Sequence, residues 1–517
     1  EWLTTDYAGK PRITEGKTSM GIYEGFACSP IPLFPQDNSV LDTNTTELEL
    51  SWQLPEENVE TISSYSIEYR KNNGSPVIIE DIDVTTYMLD GINAADKIEW
   101  RVASITEEGN SNWSAWNSFN IRRDQPIFVK PDGNGRGSSW YDATSLQKAL
   151  SISVNGEQIW VAAGIYKPTE GTDRTISFQL KDGVALYGGF AGGETDLNQR
   201  NWRMNETILS GNIGEADVET DNSYHVLVGN GSSISPISNA TLLDGFIVEA
   251  GYANSYALND KRGSGLYLYN ASPSIQNLWF RSNYAASDGG AIFGINSSAA
   301  TFENVLFTKN KATETGGAAY SMNSEFTFNN CLFYNNYSDN RVGAISGTSG
   351  NGTQVINSII WNNNARINSP QISTVSARHS IIQGGYSGEG NIDADPLFMD
   401  PENRNFMLKP GSPAIDAGSS DLLPEYLTRD YLGSPRVQGN NVDMGPLESI
   451  VLVNTMPAHY GGAKESEFFG LEFRWGVKKG ELIDESEIPN MLYRIQVWES
   501  GDEENPLHDA EITSGGF

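Results

Sequence analysis

A chain of 517 residues is too long for one ordinary core, so several domains or one extended solenoid are expected. Its formal charge of −32 argues against nucleic acid and anionic membrane surfaces as partners, which need a basic patch; it suits a secreted or cell-surface protein and leaves Ca²⁺ possible. No apolar run reaches the roughly 18 residues of a membrane span, and the only cysteines, Cys28 and Cys331, fall in different predicted segments, so burial and backbone pairing rather than a disulfide must hold the fold.

The first 24 residues return later in the chain. Asp6-Tyr-Ala-Gly-Lys-Pro-Arg12 and Ser19-Met-Gly-Ile-Tyr-Glu24 are answered by Asp430-Tyr-Leu-Gly-Ser-Pro-Arg436 and Asp443-Met-Gly-Pro-Leu-Glu448 at an offset of 424. Leu48-Glu-Leu-Ser-Trp52 is answered by Leu471-Glu-Phe-Arg-Trp475. The repetition predicts a tandem unit of about 424 residues, with 1–24 as the end of a preceding module and 449–517 as the start of a second, truncated sandwich. Residues 25–37, carrying Pro30, Pro32 and Pro35, read as a semi-rigid linker. From 38 to 122 short alternating strands predict a small β-sandwich with Trp52, Tyr69 and Trp100 as core candidates. Trp52, Tyr65-Ser-Ile-Glu-Tyr69, Ile98-Glu-Trp-Arg-Val102 and Asn112-Trp-Ser-Ala-Trp116 resemble the fibronectin type III family, which implies a spacer or binding module.

Residues 123–448 form the main predicted module. Asp142 is the expected N-cap of a short helix whose Leu146, Ala149 and Leu150 share one apolar face, suited to plugging the open end of a solenoid. Short apolar strands follow, then a seven-residue phrase four times over: Asn277-Leu-Trp-Phe-Arg-Ser-Asn283, Asn304-Val-Leu-Phe-Thr-Lys-Asn310, Asn330-Cys-Leu-Phe-Tyr-Asn-Asn336 and Asn357-Ser-Ile-Ile-Trp-Asn-Asn363, at steps of 27, 26 and 27 residues. A fixed period of that length marks a stacked-coil architecture, and alternating runs rich in Phe, Val, Asn and Gly give it strands, not helices. The fold class is therefore all-β, a parallel β-helix with sandwiches on either side, with room for about a dozen coils. Phe280, Phe307, Phe333 and Ile360 should stack as one inward column, and Leu278, Val305, Cys331 and Ser358 as another. Asn277, Asn304, Asn330 and Asn357 sit where the inward phase changes, and are expected to form a structural amide ladder at a bend.

Tyr187-Gly-Gly-Phe-Ala-Gly-Gly-Glu194, Leu243-Asp-Gly-Phe246, Asp393-Ala-Asp-Pro-Leu-Phe398 and Pro410-Gly-Ser-Pro-Ala-Ile-Asp-Ala-Gly418 resemble the right-handed parallel β-helix proteins of Bacteroidota-type bacteria that carry a choice-of-anchor Q region. The resemblance implies large, modular, secreted or surface proteins, often exported by the type IX pathway, without a defined activity.

Catalysis must be argued from a site, because one β-helix scaffold hosts lyases, hydrolases and inert rods. A lyase needs clustered carboxylates holding Ca²⁺ beside an Arg or Lys base, and an inverting hydrolase needs paired acids on adjacent coils. The outward row after the Phe column reads Arg281, Thr308, Tyr334, Trp361, and Asp288, Glu303 and Glu314 lie at unrelated phases, so no such cluster is expected. Tyr334 and Trp361, with Arg281 nearby, are the candidate contact residues for surface glycans or another protein, unless they pack beneath a loop. Asp132, Asp393, Asp395 and Asp400 are weak Ca²⁺ candidates whose ordinary reading is turn chemistry. The expectation is a non-catalytic extracellular stalk, adhesin or surface filament with no cofactor, whose partners are neighbouring repeats of the same chain and surface glycans or proteins. The alternative is a carbohydrate-active β-helix or glycan-binding module, with a site in the 251–263 loop or the early coils.

Overall fold

The structure, a computed structural model, describes residues 29–449 except 43–46, 56–61, 107–108, 216–217, 258, 349–351 and 368–370. The expectations for 1–24, for Cys28 and for a second sandwich after 449 lie outside the described residues, apart from two antiparallel strand pairs, Leu452–Asn454 with Trp475–Val477 and Leu492–Val497 with His508–Thr513.

Alternation of apolar and polar residues builds the first unit. In Glu47–Gln53 and Lys97–Thr106 the buried side chains are Leu50, Trp52, Ile98, Trp100 and Val102, which meet between a three-stranded and a six-stranded sheet. Tyr69, expected in this core, is only partly buried at its margin. The Pro-rich stretch is not a free linker: Ile31–Phe34 is the edge strand of the three-stranded sheet, pairing with Glu47–Gln53. An edge tolerates Pro32 because the missing N–H costs no ladder bond there. Arg123 joins this sandwich to the second unit, donating at 2.6 Å to Glu157, whose carboxylate is almost wholly buried.

From Ile127 to Ile382 the chain winds as a parallel solenoid whose coils stack into sheets of nine, eight, five and seven strands. One regular coil reads Ser274–Gln276, Trp279–Arg281, Tyr284–Ala285 and Ile292–Ile295, and each strand pairs in register with its counterpart one coil later. The corners explain the recurring Asn and Gly. Asn277, Asn304, Asn330 and Asn357 all have φ between 49° and 54°, and Gly289 and Gly316 have φ of 62° and 63°, conformations that Asn and Gly adopt at least cost. At Gly290 and Gly317 an added Cβ would lie 2.2 Å from a carbonyl of the next coil, so these corners close only without a side chain.

Both predicted inward columns are buried. Phe280, Phe307 and Phe333 stack at centroid separations of 5.3 and 4.5 Å with rings nearly parallel, and Leu278, Val305, Cys331 and Ser358 are fully enclosed. The start of the solenoid is plugged by the helix Leu146–Ile152, whose buried residues are the predicted Leu146, Ala149 and Leu150; its N-cap is Ser145 rather than Asp142, which instead accepts from Ser138. Nine strands form the longest sheet, fewer than the dozen coils expected. Two causes account for the difference: the early coils carry long connections, such as that between Phe190 and Thr207, and the chain stops winding after Ile382.

Candidate functional site

Residues 393–449 run back along the outside of the solenoid as a strap. Its hairpin, Phe398–Asp400 paired with Asn405–Leu408, lays Phe398, Phe406 and Leu408 on the outer face of the eight-stranded sheet, over Trp279, Leu306, Leu332, Ile359 and Ile381. From Ile247 onward that sheet is thus buried on both faces, as parallel sheets usually are. The expectation of an exposed aromatic pair is corrected: Tyr334 is only 8% exposed, with Phe398 and Phe406 at 5.8 and 5.4 Å edge-on, and Trp361 packs against the same cluster. The sequence signal for this was present in the doublets Trp279-Phe280, Leu306-Phe307, Leu332-Phe333 and Ile359-Ile360, which break the period of two and need cover on both sides.

The amide ladder exists, one corner away from its expected place. Asn283, Asn310, Asn336 and Asn363 form it inside the solenoid: each Nδ2 donates to the Oδ1 of the next at 2.8–3.0 Å, and Gln371 takes the last place. Asn310, Asn336 and Asn363 also donate to the carbonyls of Phe280, Phe307 and Phe333, satisfying buried backbone acceptors. Of the row expected to be the ladder, Asn304 and Asn277 bond amide to amide at 3.1 Å, and Asn330 reaches only the backbone carbonyl of Asn357, at 3.4 Å. The row mainly holds the strap. Asn304 donates to the Arg429 carbonyl, Asn330 to the carbonyls of Asp443 and Gly445, and Asn357 to that of Ser419 while accepting from the Ser419 N–H.

The second copy of the duplicated motif is the strap's closing clip. Arg436 is 2% exposed and donates to the carbonyls of Pro446 and Gly445, with the Glu448 carboxylate at 3.3 Å. Asp430 accepts from the N–H groups of Leu432, Ser434 and Glu448, and Asp443 accepts from those of Asp416 and Ser449. Burial raises all three carboxyls, Asp430 to about 6 and Glu448 to about 9, and lowers Arg436. Three acids facing one guanidinium away from water leave a negative surplus, so proton retention by Glu448 is the natural response.

Of the acids placed at unrelated phases, Glu303 and Asp288 have separate surroundings. Glu303 aligns with Gln276 and Asp244 in one column of the nine-stranded sheet; Gln276 donates to Glu303 at 2.9 Å, and Asp244 pairs with buried Arg200. The strap covers this column, with the Tyr426 hydroxyl hydrogen-bonded to Glu303, which is 2% exposed and has its carboxyl raised by burial. Asp288 pairs with Arg262 at 3.0 Å in the inserted loop, where the guanidinium also covers the Phe293 ring. The Ca²⁺ candidates are not brought together. Asp393, Asp395 and Asp400 accept from the nearby N–H groups of Gly384, Leu397 and Asn403, and no group of three potential ligands around Asp132 or elsewhere occurs among the described residues.

Two features remain open to a ligand. A shallow polar groove of about 470 Å³ runs past the corner residues Asn270, Asn296 and Asn323, beside Tyr269 and Ser232. A partly open pocket of about 130 Å³ lies under the strap hairpin, lined by Glu249, Trp279, Arg281, Lys309, Glu402 and Arg404, among others. Arg281, the third contact candidate from sequence, is here. Its Nε donates to Glu249 at 2.7 Å, and its guanidinium lies over Trp279. On the five-stranded sheet Tyr252 and Tyr284 stack at 4.5 Å and Lys311 sits between Tyr284 and Tyr337, so the ring faces of that row are used within the protein.

Residues 34–120 match the fibronectin type III domain family, and residues 304–322 match the Chlamydia polymorphic membrane protein repeat. Solved structures similar to the chain include the fibronectin type III domain of human fibronectin type III domain containing protein 3 (21% identity, 20% of this chain and 94% of that one, TM-score 0.16). The FN5 domain of Drosophila Lar (19% identity, 19% and 98%, TM-score 0.15) and an Fn3-like protein from Clostridium thermocellum (19% identity, 19% and 97%, TM-score 0.15) are others. No curated protein matches.

Proposed function

We propose that the chain is a non-catalytic structural and adhesive segment of a large tandem-repeat protein at a bacterial cell surface, a stalk, adhesin or surface filament. The coarse part of this reading, a surface or adhesin-like repeat protein, follows from the fibronectin type III and polymorphic membrane protein repeat matches together. The observation that carries the rest is the succession of parallel strand pairs from Ile127 to Ile382, closed at one side by a strap and joined to a sandwich through the buried Glu157. At about 4.8 Å per strand the nine-stranded sheet spans about 40 Å, and bending it means breaking backbone bonds in every coil it crosses. The Gly-Ser-Pro-Ala-Ile-Asp-Ala-Gly phrase supports the finer assignment to type IX-exported proteins of Bacteroidota. The partners are neighbouring repeats of the same chain, and surface glycans met repeatedly along the array, where repetition supplies avidity.

A polysaccharide lyase or hydrolase would use the Asp244, Gln276, Glu303 column, which lies under the strap. Incubating the chain with acidic and neutral polysaccharides, with and without Ca²⁺, and following unsaturated-uronide absorbance and reducing ends tests the reading. The expected result is no product from an elongated, protease-resistant particle; turnover in any arm overturns it.

A further inference from the structure

The cavity under the strap hairpin is built from three separate elements. Arg281 comes from the eight-stranded sheet, Lys309 from the left-handed corner that follows it one coil later, and Arg404 from the hairpin tip, where it closes the 3-10 turn Pro401–Asn403 in the left-handed conformation. Two guanidiniums, of Arg281 and Arg404, lie over the one Trp279 ring at 5.1 and 5.6 Å. The indole itself is fixed, because its Nε1 donates to Thr308 at 2.8 Å. The cations are unequally matched. Glu249 answers Arg281 through Nε alone, and Arg281 Nη1 is buried without a hydrogen-bond partner among the described residues. Neither Lys309 nor Arg404 has an ion-pair partner among them. Glu402 is the only other acid in the lining. In a chain with a surplus of 32 negative charges, three converging cations around an orphaned buried donor are a local reversal of sign.

We propose that this cavity binds a carboxylate, and that its source is the uronate unit of an acidic glycan. The buried Arg281 Nη1 costs the desolvation of that donor unless a ligand supplies an acceptor, and Lys309 and Arg404, both exposed at the mouth, leave the pocket open to one. A carboxylate supplies two, in the planar geometry that guanidinium groups accept. The volume of about 130 Å³ holds a carboxylate-bearing group but not a folded protein loop. The aromatic lining, Trp279, Tyr334 and Phe406, suits the apolar edge of a sugar ring better than a strongly hydrated inorganic anion. The assignment rests on the adhesive reading above and names what that adhesin holds.

The test is titration calorimetry on the full chain with oligogalacturonate, an uncharged oligosaccharide of equal length, sodium acetate and oligoglutamate, repeated with Arg404→Gln and, as a control on a cation of the five-stranded sheet that does not line the pocket, Lys311→Gln. The expected result is binding of oligogalacturonate that weakens with salt, falls at least tenfold in Arg404→Gln, and is unchanged in Lys311→Gln, with thermal unfolding preserved in both. No binding by the unaltered chain, or binding indifferent to Arg404→Gln, overturns the site. Equal binding of acetate or oligoglutamate overturns the glycan assignment. Binding followed by chain cleavage would sink the non-catalytic reading while leaving the site in place, so the two failures are distinguishable.

Discussion

The regular coils and the strap bury polar groups in opposite ways. Inside the coils, Asn283, Asn310, Asn336 and Asn363 are neutral amides, each matched to an identical group one coil away and to the backbone carbonyl of the preceding coil. In the strap, Arg436, Asp430, Asp443 and Glu448 are charged or titratable groups gathered from a 19-residue stretch, answered mostly by backbone and incompletely by one another. Arg436 Nε and Glu448 Oε2 are buried with no hydrogen-bond partner among the described residues. Repetition lets a neutral ladder satisfy itself at every level, whereas a closing segment that occurs once per solenoid must concentrate its specificity in one place. The coils should therefore lose stability gradually along their length, and the strap all at once.

The largest effects come from cutting each region at its centre. Arg436→Met leaves three buried carboxyls without their cation and is expected to cost about 3–5 kcal/mol. The loss should be local: limited proteolysis should cleave 414–449 while the far-ultraviolet β signal persists. Phe307→Ala, which hollows the stacked Phe column, is expected to cost about as much, roughly 3–5 kcal/mol, but to lower the main unfolding transition. If both variants melt the whole molecule together, the strap is no separate unit.

Next in size is the contrast between the two asparagine rows. Asn336→Ala removes an amide that accepts from Asn310 and donates to both Phe307 O and Asn363, so about 3 kcal/mol is expected from the orphaned groups. Asn304→Ala removes the bonds donated to Asn277 and the Arg429 carbonyl at a buried corner and puts Ala at φ 54°, for about 1–2 kcal/mol. Chemical denaturation of the pair checks the order, and a reversal would return the ladder to the row where its sequence spacing first suggests it.

How much of this was legible depends on whether a signal repeats. The solenoid, its inward Phe column and its corners could be read because Phe280, Phe307 and Phe333 return at a fixed step, and one turn of chain dictates the next. The choice between Asn277 and Asn283 as ladder residue could not, because both recur with the same period and only the strand geometry says which one points inward. The burial of Tyr334 was invisible for another reason. Its cover, Phe398 and Phe406, arrives from more than 60 residues away with no period of its own, and only the Leu-Phe doublets hinted that a second layer existed. The clip was seen as a repeated phrase at 6–24 and 430–448 without its purpose, since a buried ion cluster of Asp430, Arg436 and Glu448 looks in sequence like ordinary surface charge.

Acidity offers a gentler separation of the two regions. Asp430 and Glu448 are raised in the folded protein, to about 6 and about 9, above the ordinary carboxyl values they regain when the strap unfolds. Between those limits the folded strap binds more protons than the open one, so its stability falls as pH rises, first through Asp430 between about pH 4 and 6 and then through Glu448 up to about pH 9. Below about pH 4 the full contribution is present. The interior Asn ladder contains nothing that titrates in this range. Hydrogen exchange should show protection of 430–448 falling from pH 5 to pH 9, after correction for intrinsic rate, while that of 328–336, which holds no carboxyl, stays steady; parallel loss would contradict the assignment.

The smallest expected effect is the most local. Tyr426 carries its hydroxyl from the strap onto Glu303, the buried acid in the column with Gln276 and Asp244. Burial, followed by the contact with Glu303, raises the phenol, so the phenol keeps its proton and donates it. Tyr426→Phe keeps the ring and deletes one hydrogen bond to a carboxyl that retains Gln276, which should cost about 1–2 kcal/mol, and should leave Glu303 more readily protonated. An infrared carboxyl band for Glu303, identified by its loss in Glu303→Gln, should therefore titrate at higher pH in Tyr426→Phe. No shift would mean that the strap merely lies over the column without holding its charge state, and that the tie between strap and coil at this point is carried by Asn304 and Asn329 alone.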